Sequence, residues 1–575
     1  MAPGILLQAF YQRGDRGVPS PGDSDASAWW YDHVATQAEA FREAGFTAIW
    51  LAPVTKGGSG AHSIGYDVFD DYDIGSKAQR GATPTRYGSR EQLVRCAAML
   101  RASGIDVYLD LVENHRAGGS GDGGFEFRYR DALGGMHGRF PKDRSNFHPN
   151  VPQDPNVFGP DFSFGADLAP VNGQPHGYVD SGLKRAADWL VRAVGAQGVR
   201  VDDVKGVSTD FLFPLLGFGS LNGKFAVGEF FDGNIGLLLN WLNNPRGMRG
   251  RASAFDFPLH FMLRQMCNGN GHFDLSLLDH AGLAGVAPFQ AVTFVQNHDT
   301  ESKDSSRIRQ NHVLAYAYIL TSEGYPCVFY KDYSRDHGCL GLKPAIDNLM
   351  WIHQNIAEGP TQQRWKEHDL FIFERLGGDH LLVGLNDGTA DRTVEVETGF
   401  GAGITLHDYT GHGQEVRTGD FGRTRITVPG NAKQGGYCCY SRRGIDRNFR
   451  PSRQMAVQEF EGAADLDLPP ADPKALISVG RIWARQGGQV VARLAPDRHN
   501  WTKQAKLELE LVDANGAVLG SLTCRTDTPP DVAVSVSPSR SGWIEFRLRA
   551  HEMPPTNLRP GYRVTAKYDA ARTLG

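Results

Sequence analysis

The chain of 575 residues carries a formal net charge of −5, with 41% hydrophobic and 22% charged residues. That near-balance gives no reason to expect nucleic acid or an anionic membrane surface as a partner, and no apolar run reaches the ~18 residues of a membrane span. At about 150 residues per domain the length predicts three or four domains, fewer if a barrel absorbs 250 or more.

The opening "MAPGILLQAFYQ" has no basic n-region and passes straight into a strand-like run, so it does not read as a signal peptide. The expected location is the cytoplasm, or outside the cell for a chain that has lost its signal peptide. The seven cysteines (96, 267, 327, 339, 438, 439 and 524) are scattered, odd in number and without zinc spacing. Reduced thiols are expected, which favours the cytoplasm.

From residue 5 to about 357, apolar strand-like runs alternate with helical patterns. "ILLQAFY" is followed by the helical "WWYDHVATQAEAFREAG", then by "TAIWLAPV". "SREQLVRCAAMLRASG" has Ser89 and Gln92 at capping-box spacing and Gly104 at a C-cap. The later strand candidates are "IDVYLDLVEN", "GVRVDDV", "KFAVGEFF", "SAFDFPLH", "AVTFVQNHD" and "YPCVFY". Eight near-continuous apolar strands with helices between most of them predict a (β/α)8 TIM barrel over residues 1–357.

One interval breaks the rhythm. More than 80 residues separate Asn114 from Gly198, where a βα unit needs roughly 35 at most. The excess is rich in Gly, Pro, Asp and aromatics, and predicts a loop-rich domain inserted after strand 3, at 115–177. Two antiparallel β-sandwich domains are expected after the barrel, from alternating runs with Gly/Asp turns. The first spans 358–443. A connection at about 444–475 leads to the second, and 444–575 as a whole is of unknown role. Trp483, Trp501 and Trp543 have two readings there: a starch-binding platform, or sandwich core.

The predicted strands carry charge where a buried strand should not. In "GVRVDD" the valines alternate with Arg200 and Asp202. If the valines pack outward against helices, the charged pair points toward the barrel axis near the C-terminal end, where barrel enzymes assemble their sites. Arg200 beside Asp202 favours its charged form. Asp110, Asn114 and His115 close the third strand, Glu229 the fifth, and His298 and Asp299 the seventh. A single strand-end carboxylate reads most simply as solvated. Three of them, with an arginine and histidines, predict one cavity.

Four segments, "DLVENH", "GVRVDDVKG", "VGEF" and "VQNHD", resemble the signature regions of the α-amylase family, glycoside hydrolase family 13. The resemblance runs through residues 1–443, includes "IGYDVFDDYDIG" and "AYAYILTSEGYPCVFY", and is closest to the calcium-containing bacterial, archaeal and plant α-amylases. Glu113, Asp203 and Gln296 stand where the family more often has other residues, which bears on fine specificity.

The resemblance implies a retaining hydrolase of α-1,4-glucosidic bonds in starch, glycogen and maltooligosaccharides. Asp202 would be the nucleophile and Glu229 the acid/base, with Asp299 stabilising charge on the sugar. Glu229 has no adjoining cation in sequence, so burial is expected to raise its pKa. His115 and His298 would donate hydrogen bonds to the same sugar, and Tyr66 would supply an aromatic platform, a core tyrosine being the competing reading. Lys205 would reach a sugar on the leaving-group side, against a plain surface lysine.

A structural Ca²⁺ is also implied, on Asn114, Asp161, Asp167 and the Gly206 carbonyl; loop aspartates are otherwise turn formers or solvated. The expected partner is an α-glucan polysaccharide or oligosaccharide substrate, with no nucleic acid or membrane, and the protein is expected to be a monomer. The rival readings are a 4-α-glucanotransferase or other transglycosylase on the same barrel, and a non-catalytic carbohydrate-binding barrel.

Overall fold

The computed structural model describes residues 4–13, 17–21, 23, 28–130, 135–136, 138–159, 164–463, 476–497, 506–525, 532–552 and 561–574. Its centre is a closed parallel barrel of β1 (Leu6–Gln8), β2 (Ala48–Trp50), β3 (Asp106–Leu111), β4 (Gly198–Val201), β5 (Phe225–Gly228), β6 (Ser253–Phe255), β7 (Ala291–Phe294) and β8 (Tyr325–Phe329). Each strand pairs with the next in sequence, and β8 closes on β1 with Leu6 opposite Cys327. Every expected barrel strand is present.

Helices cover the barrel because one face of each is apolar. The Arg90–Ala102 helix begins with the expected capping box: the Ser89 hydroxyl accepts from the Gln92 amide, and the Gln92 side chain accepts from the Ser89 amide. It stops one residue before Gly104, whose φ of 84° suits a residue without Cβ. The Tyr178–Val194 helix buries Val179, Leu183, Ala187, Leu190 and Val194 on one side.

The excursion after β3 makes little regular structure. His115–Arg116 pairs antiparallel with Ala166–Asp167, tying both ends of the excursion to the barrel top. Beneath it, Asp71 binds Arg116 at 2.5 Å and Lys142 at 2.5 Å, with all three side chains nearly excluded from solvent. Burial opposes ionising Asp71, but the two cations win and hold its carboxyl well below the usual range. Breaking such a network would strand a buried charge, so it pins the insert in place.

After the barrel, six strands between Thr361 and Arg442 form one antiparallel sheet, and Arg392–Glu397 pairs with Arg423–Val428 over it. Leu370, Ile372, Leu382, Val396, Ile426 and Val428 fill the space between these layers. The last part of the chain is a sandwich of two four-stranded sheets around Phe460, Ile482, Leu494, Leu509, Phe546 and Val564.

One expectation for this last part is corrected. Residues 456–463, expected within a connection, are a strand paired with Gly561–Tyr568. Its inward positions alternate Ala456, Gln458 and Phe460, and the buried Gln458 breaks the apolar pattern. That glutamine accepts from the Tyr568 hydroxyl and donates to the Val94 carbonyl, so it bridges the sandwich to a barrel helix.

Of the two readings of Trp483 and Trp543, the packed one fits the contacts of both rings. They meet edge to face at 5.0 Å, the Arg95 guanidinium lies over both at 5.1 and 5.4 Å, and Trp483 is only 6% exposed. Trp501 lies outside the described residues. Ala98 and Ala102 of the 90–102 helix belong to the sandwich core, and Arg192 joins Glu459 and Glu461 at 3.0 and 2.9 Å. The final sandwich is therefore docked on the barrel's outer helices.

None of the seven cysteines forms a disulfide, as expected. Among the described residues no helix is long and apolar enough to cross a membrane.

Trp483→Ala removes the residue at the centre of the docking seam. The change should destabilise the protein by on the order of 3 kcal/mol, a large-to-small loss at a packed site. A thermal melt should show a lower midpoint, while adsorption to raw starch stays at the wild-type level. Lost adsorption with an unchanged melt would restore the platform reading.

Candidate active site

The barrel register brings the first charged group into place. On β3 and β4, Asp110 pairs with Arg200 across the sheet, and Val199 and Val201 point outward, 1% and 3% exposed. The side chain of Arg200 therefore turns inward, where its guanidinium is 1% exposed. Nη1 donates to Asp110 at 2.7 Å and to Asp202 at 2.6 Å, and Nη2 lies 2.7 Å from Glu229 Oε2. One planar cation thus holds three carboxylates from three neighbouring strands.

Burial raises the Glu229 pKa as expected, although a cation that the sequence did not show opposes it. No cation adjoins it in sequence, yet Arg200 faces it in space because β4 and β5 are neighbours, with Arg200 opposite Val227. Burial pushes the Glu229 carboxyl well above its usual range, and the nearby carboxylates of Asp202, Asp299 and Asp203 push the same way; Arg200 opposes them without prevailing. Arg200 itself is held charged: burial disfavours the cation, but Asp110 and Glu229 outweigh that cost.

Asp299 reaches the site differently from the strand end expected. β7 stops at Phe294, and Asp299 sits in the first turn of a short helix, His298–Ser302. Asn297 caps that turn by accepting from the Asp299 and Thr300 amides at 3.0 and 2.8 Å. The cap aims Asp299 beside His298, whose Nε2 is 3.2 Å from Asp299 Oδ2, while its Nδ1 is hydrogen-bonded to Gln8 at 3.0 Å. Asp299 is the most open of the three acids, its side chain 32% exposed.

Burial lowers the pKa of both His115 and His298, against the raising effect of nearby aspartates. His115 Nε2 is 2.8 Å from the Tyr66 carbonyl, which places Tyr66 in the same wall. The Tyr66 hydroxyl donates to Asp110 at 3.0 Å, and its ring stacks on His298 at 5.1 Å with planes 8° apart. Tyr66 is a partly exposed member of the cluster, not an isolated core tyrosine. Lys205, on the turn after β4, pairs with Asp232 at 2.9 Å, so its ammonium is oriented by the loop after β5.

For the expected metal ligands the structure brings two together. Asn114 and Gly206 line one narrow cleft, which His148 and Asp154 also line. Asn114 Oδ1, the atom that a cation would bind, lies 3.1 Å from His115 Nδ1, while the Nδ2 donor is buried without a hydrogen-bond partner. Asp167 stands next to this cleft, because the Leu168 amide donates to the Asn114 carbonyl at 2.9 Å. Asp161 lies outside the described residues. Amide, carbonyl and carboxylate are hard oxygen donors, the set that suits Ca²⁺. Among the described residues no three His, Cys, Asp or Glu side chains form a ready-made metal cluster.

Several residues of the site escaped the reading of the sequence. Trp50 donates its indole N–H to Asp110 at 2.9 Å, so Asp110 accepts from three partners. Gln8 on β1 fixes His298, and Asp232 fixes Lys205. Strand-end position was the only signal that these carried, and it marks many residues that line no site. Phe164 stands at the rim, 42% exposed, with its ring edge-on to His115 at 5.2 Å.

No family model matches the chain. It is 30% identical over 454 residues to an α-amylase of Geobacillus stearothermophilus, across 68% of this chain and 81% of that relative. It is 28% identical over 429 residues to an α-amylase of Bacillus licheniformis, across 65% of this chain and 83% of the relative. Among solved structures, an α-amylase from Geobacillus thermoleovorans complexed with acarbose superposes with a TM-score of 0.56 at 17% identity, covering 77% of this chain and 98% of the other. That last likeness concerns the fold alone. With the signature segments gathered at one barrel mouth and a relative at this identity and coverage, the chain belongs to the α-amylase family, glycoside hydrolase family 13.

Proposed function

We propose that the protein is a retaining α-glucan hydrolase that cleaves α-1,4-glucosidic bonds of starch, glycogen and maltooligosaccharides by double displacement. The observation that carries this reading is Arg200. Its two terminal nitrogens hold Asp202 at 2.6 Å and Glu229 at 2.7 Å. Two carboxylates within the span of one guanidinium favour the close spacing of a retaining pair, about 5–5.5 Å, over the wider spacing that admits a water. The relatives' names, α-amylases in both cases, agree with this bond and substrate class.

The proton inventory supports the division of roles. One buried cation cannot offset three buried carboxylates, so the cheapest state leaves a proton on one of them. Burial pushes both Asp110 and Glu229 upward. Asp110 accepts from Arg200, Trp50 and Tyr66, which serves its anion well. Glu229 is the better home for the proton, and a protonated carboxyl is what the leaving glycosidic oxygen requires.

Asp202, held by Arg200, attacks the anomeric carbon as Glu229 gives its proton to the departing sugar oxygen. The Glu229 carboxylate then takes a proton from the water that releases the glycosyl group. Asp299 adds negative charge beside the oxocarbenium-like transition state. His298, whose Nε2 has no hydrogen-bond partner among the described residues, can hydrogen-bond the same sugar, while His115, facing the Tyr66 carbonyl and Asn114 Oδ1, braces the wall beside it. Lys205 and its partner Asp232 face the leaving-group side.

Calcium belongs to this reading as a structural ion. Asn114, Asp167 and the Gly206 carbonyl would hold it, and it would tie the inserted domain to the barrel top. The convergence of Asn114 and Gly206 on one cleft, with Asp167 beside it, supports that assignment.

Asp202→Asn and Glu229→Gln should each lower kcat on soluble starch by several orders of magnitude, with far-UV circular dichroism unchanged. Near-wild-type turnover in either variant would reject the role given to it. Exhaustive chelation should lower the thermal midpoint, and added Ca²⁺ should restore it. A melt that ignores both treatments would remove the ion from the scheme.

A further inference from the structure

Behind the turn that carries His298 and Asp299 lies a cavity that the chemistry above does not use. Its volume is about 390 Å³, and Asp202, Glu229 and Asp299 do not line it. Gln296 and Glu301, which flank the His298–Asp299 pair in the chain, do line it, together with Ile308, His312, Asp332 and Leu340. A second cavity of about 340 Å³ shares Arg309, His312 and Leu340 with the first and reaches Asn431 and Gln434 of the sandwich at 358–443. The two make one groove between the barrel and that sandwich.

The groove is lined by polar groups that the fold leaves half used. Gln296 Oε1 accepts from the Ile308 amide at 2.8 Å, and Gln434 Oε1 accepts from the Val313 amide at 3.1 Å. Each side chain keeps its NH₂ group to offer a ligand. Asp332, 1% exposed, accepts from the Tyr316 hydroxyl on Oδ2 at 2.9 Å and keeps Oδ1 as an acceptor. His312 is only 6% exposed, and among the described residues no hydrogen bond reaches its ring. A buried imidazole in that position is costly unless something in the groove meets it.

The charges nearby are already matched, and this selects the class of ligand. Glu301 binds Lys331 and lies 3.7 Å from Arg307, while Arg309 is 3.2 Å from Asp304. An anion would compete with those carboxylates, and a cation with the arginines and the lysine. A neutral polyol competes with neither. Its hydroxyls can donate to Asp332 and accept from the amides of Gln296 and Gln434. The C–H face of a pyranose can cover Ile308 and Leu340, the second of which is 51% exposed.

We propose that this groove is a second sugar site, separate from the catalytic cleft, that takes a neutral disaccharide of the maltose type. The choice of an α-glucoside among neutral polyols rests on the hydrolase reading, whereas the site itself rests on the groove. The two joined cavities accommodate two sugar rings, one on the barrel side and one against the sandwich.

The test titrates maltose by isothermal calorimetry into the intact enzyme saturated with acarbose, an oligosaccharide analogue that occupies the catalytic cleft. The wild type should still bind one maltose per chain. His312→Ala, which removes the buried ring, and Leu340→Glu, which puts charge on the apolar patch, should each weaken that binding by on the order of tenfold. If His312→Ala does not fold, Leu340→Glu at its half-exposed position carries the test.

No maltose binding in the presence of acarbose, or binding that Leu340→Glu leaves unchanged, would overturn the proposal. Failure of the hydrolase reading shows separately, as acarbose that does not bind. In that event maltose binding that drops in the variants would still uphold the groove, and binding indifferent to them would still overturn it.

Discussion

A single buried guanidinium sets the geometry of this protein's site. Arg200 points into the barrel because β4 alternates it with outward valines, and the register of β3, β4 and β5 surrounds it with Asp110, Asp202 and Glu229. Burying an ion is costly unless its partners are close and well oriented. Here the cation repays that cost only when all three acids stand where they do. Removing it would leave like charges facing one another, so position and protonation of the acids are one constraint. The aromatic wall of Trp50 and Tyr66 stands 5.1 and 5.6 Å from the guanidinium and keeps water from relaxing the arrangement.

The surrounding architecture serves that constraint at longer range. The inserted segment is fastened by the 115–116/166–167 strand pair and by the Asp71, Arg116 and Lys142 network, so its rim cannot drift from the catalytic mouth. The final sandwich grips the outer helices through Arg95, Trp483, Trp543 and the Arg192 ion pairs. It lies against helices that lead into β3 and β4. Through those helices it is linked to the strands that carry Asp110 and Arg200, and Trp483 and Trp543 lie in that seam.

Much of the barrel was legible in the sequence because parallel strands buried on both faces are continuous apolar runs, and a charge inside such a run is conspicuous. Asp202, Glu229 and Arg200 announce themselves in this way. What was not legible depends on contacts between distant strands. Glu229 looks free of cations along the chain, and only the β4–β5 register brings Arg200 to it. Asp299 looks like a strand-end residue, but Asn297 starts a helix by capping it. The strand at 456–463 was hidden by Gln458, a polar residue buried because it bridges Tyr568 and Val94. Trp483 and Trp543 read in sequence as core more readily than as a platform, but nothing along the chain shows that Arg95 of a barrel helix lies over both.

The most direct measurement on the Arg200-centred pair is covalent trapping. A 5-fluoro-glucosyl fluoride would be incubated with the intact enzyme, followed by proteolysis and mass spectrometry of the labelled peptide. The label is predicted on Asp202, held by Arg200 as the attacking carboxylate. A label on Glu229 or Asp299, or turnover with no covalent species under conditions that trap other retaining enzymes, would contradict the arrangement of roles derived from this site.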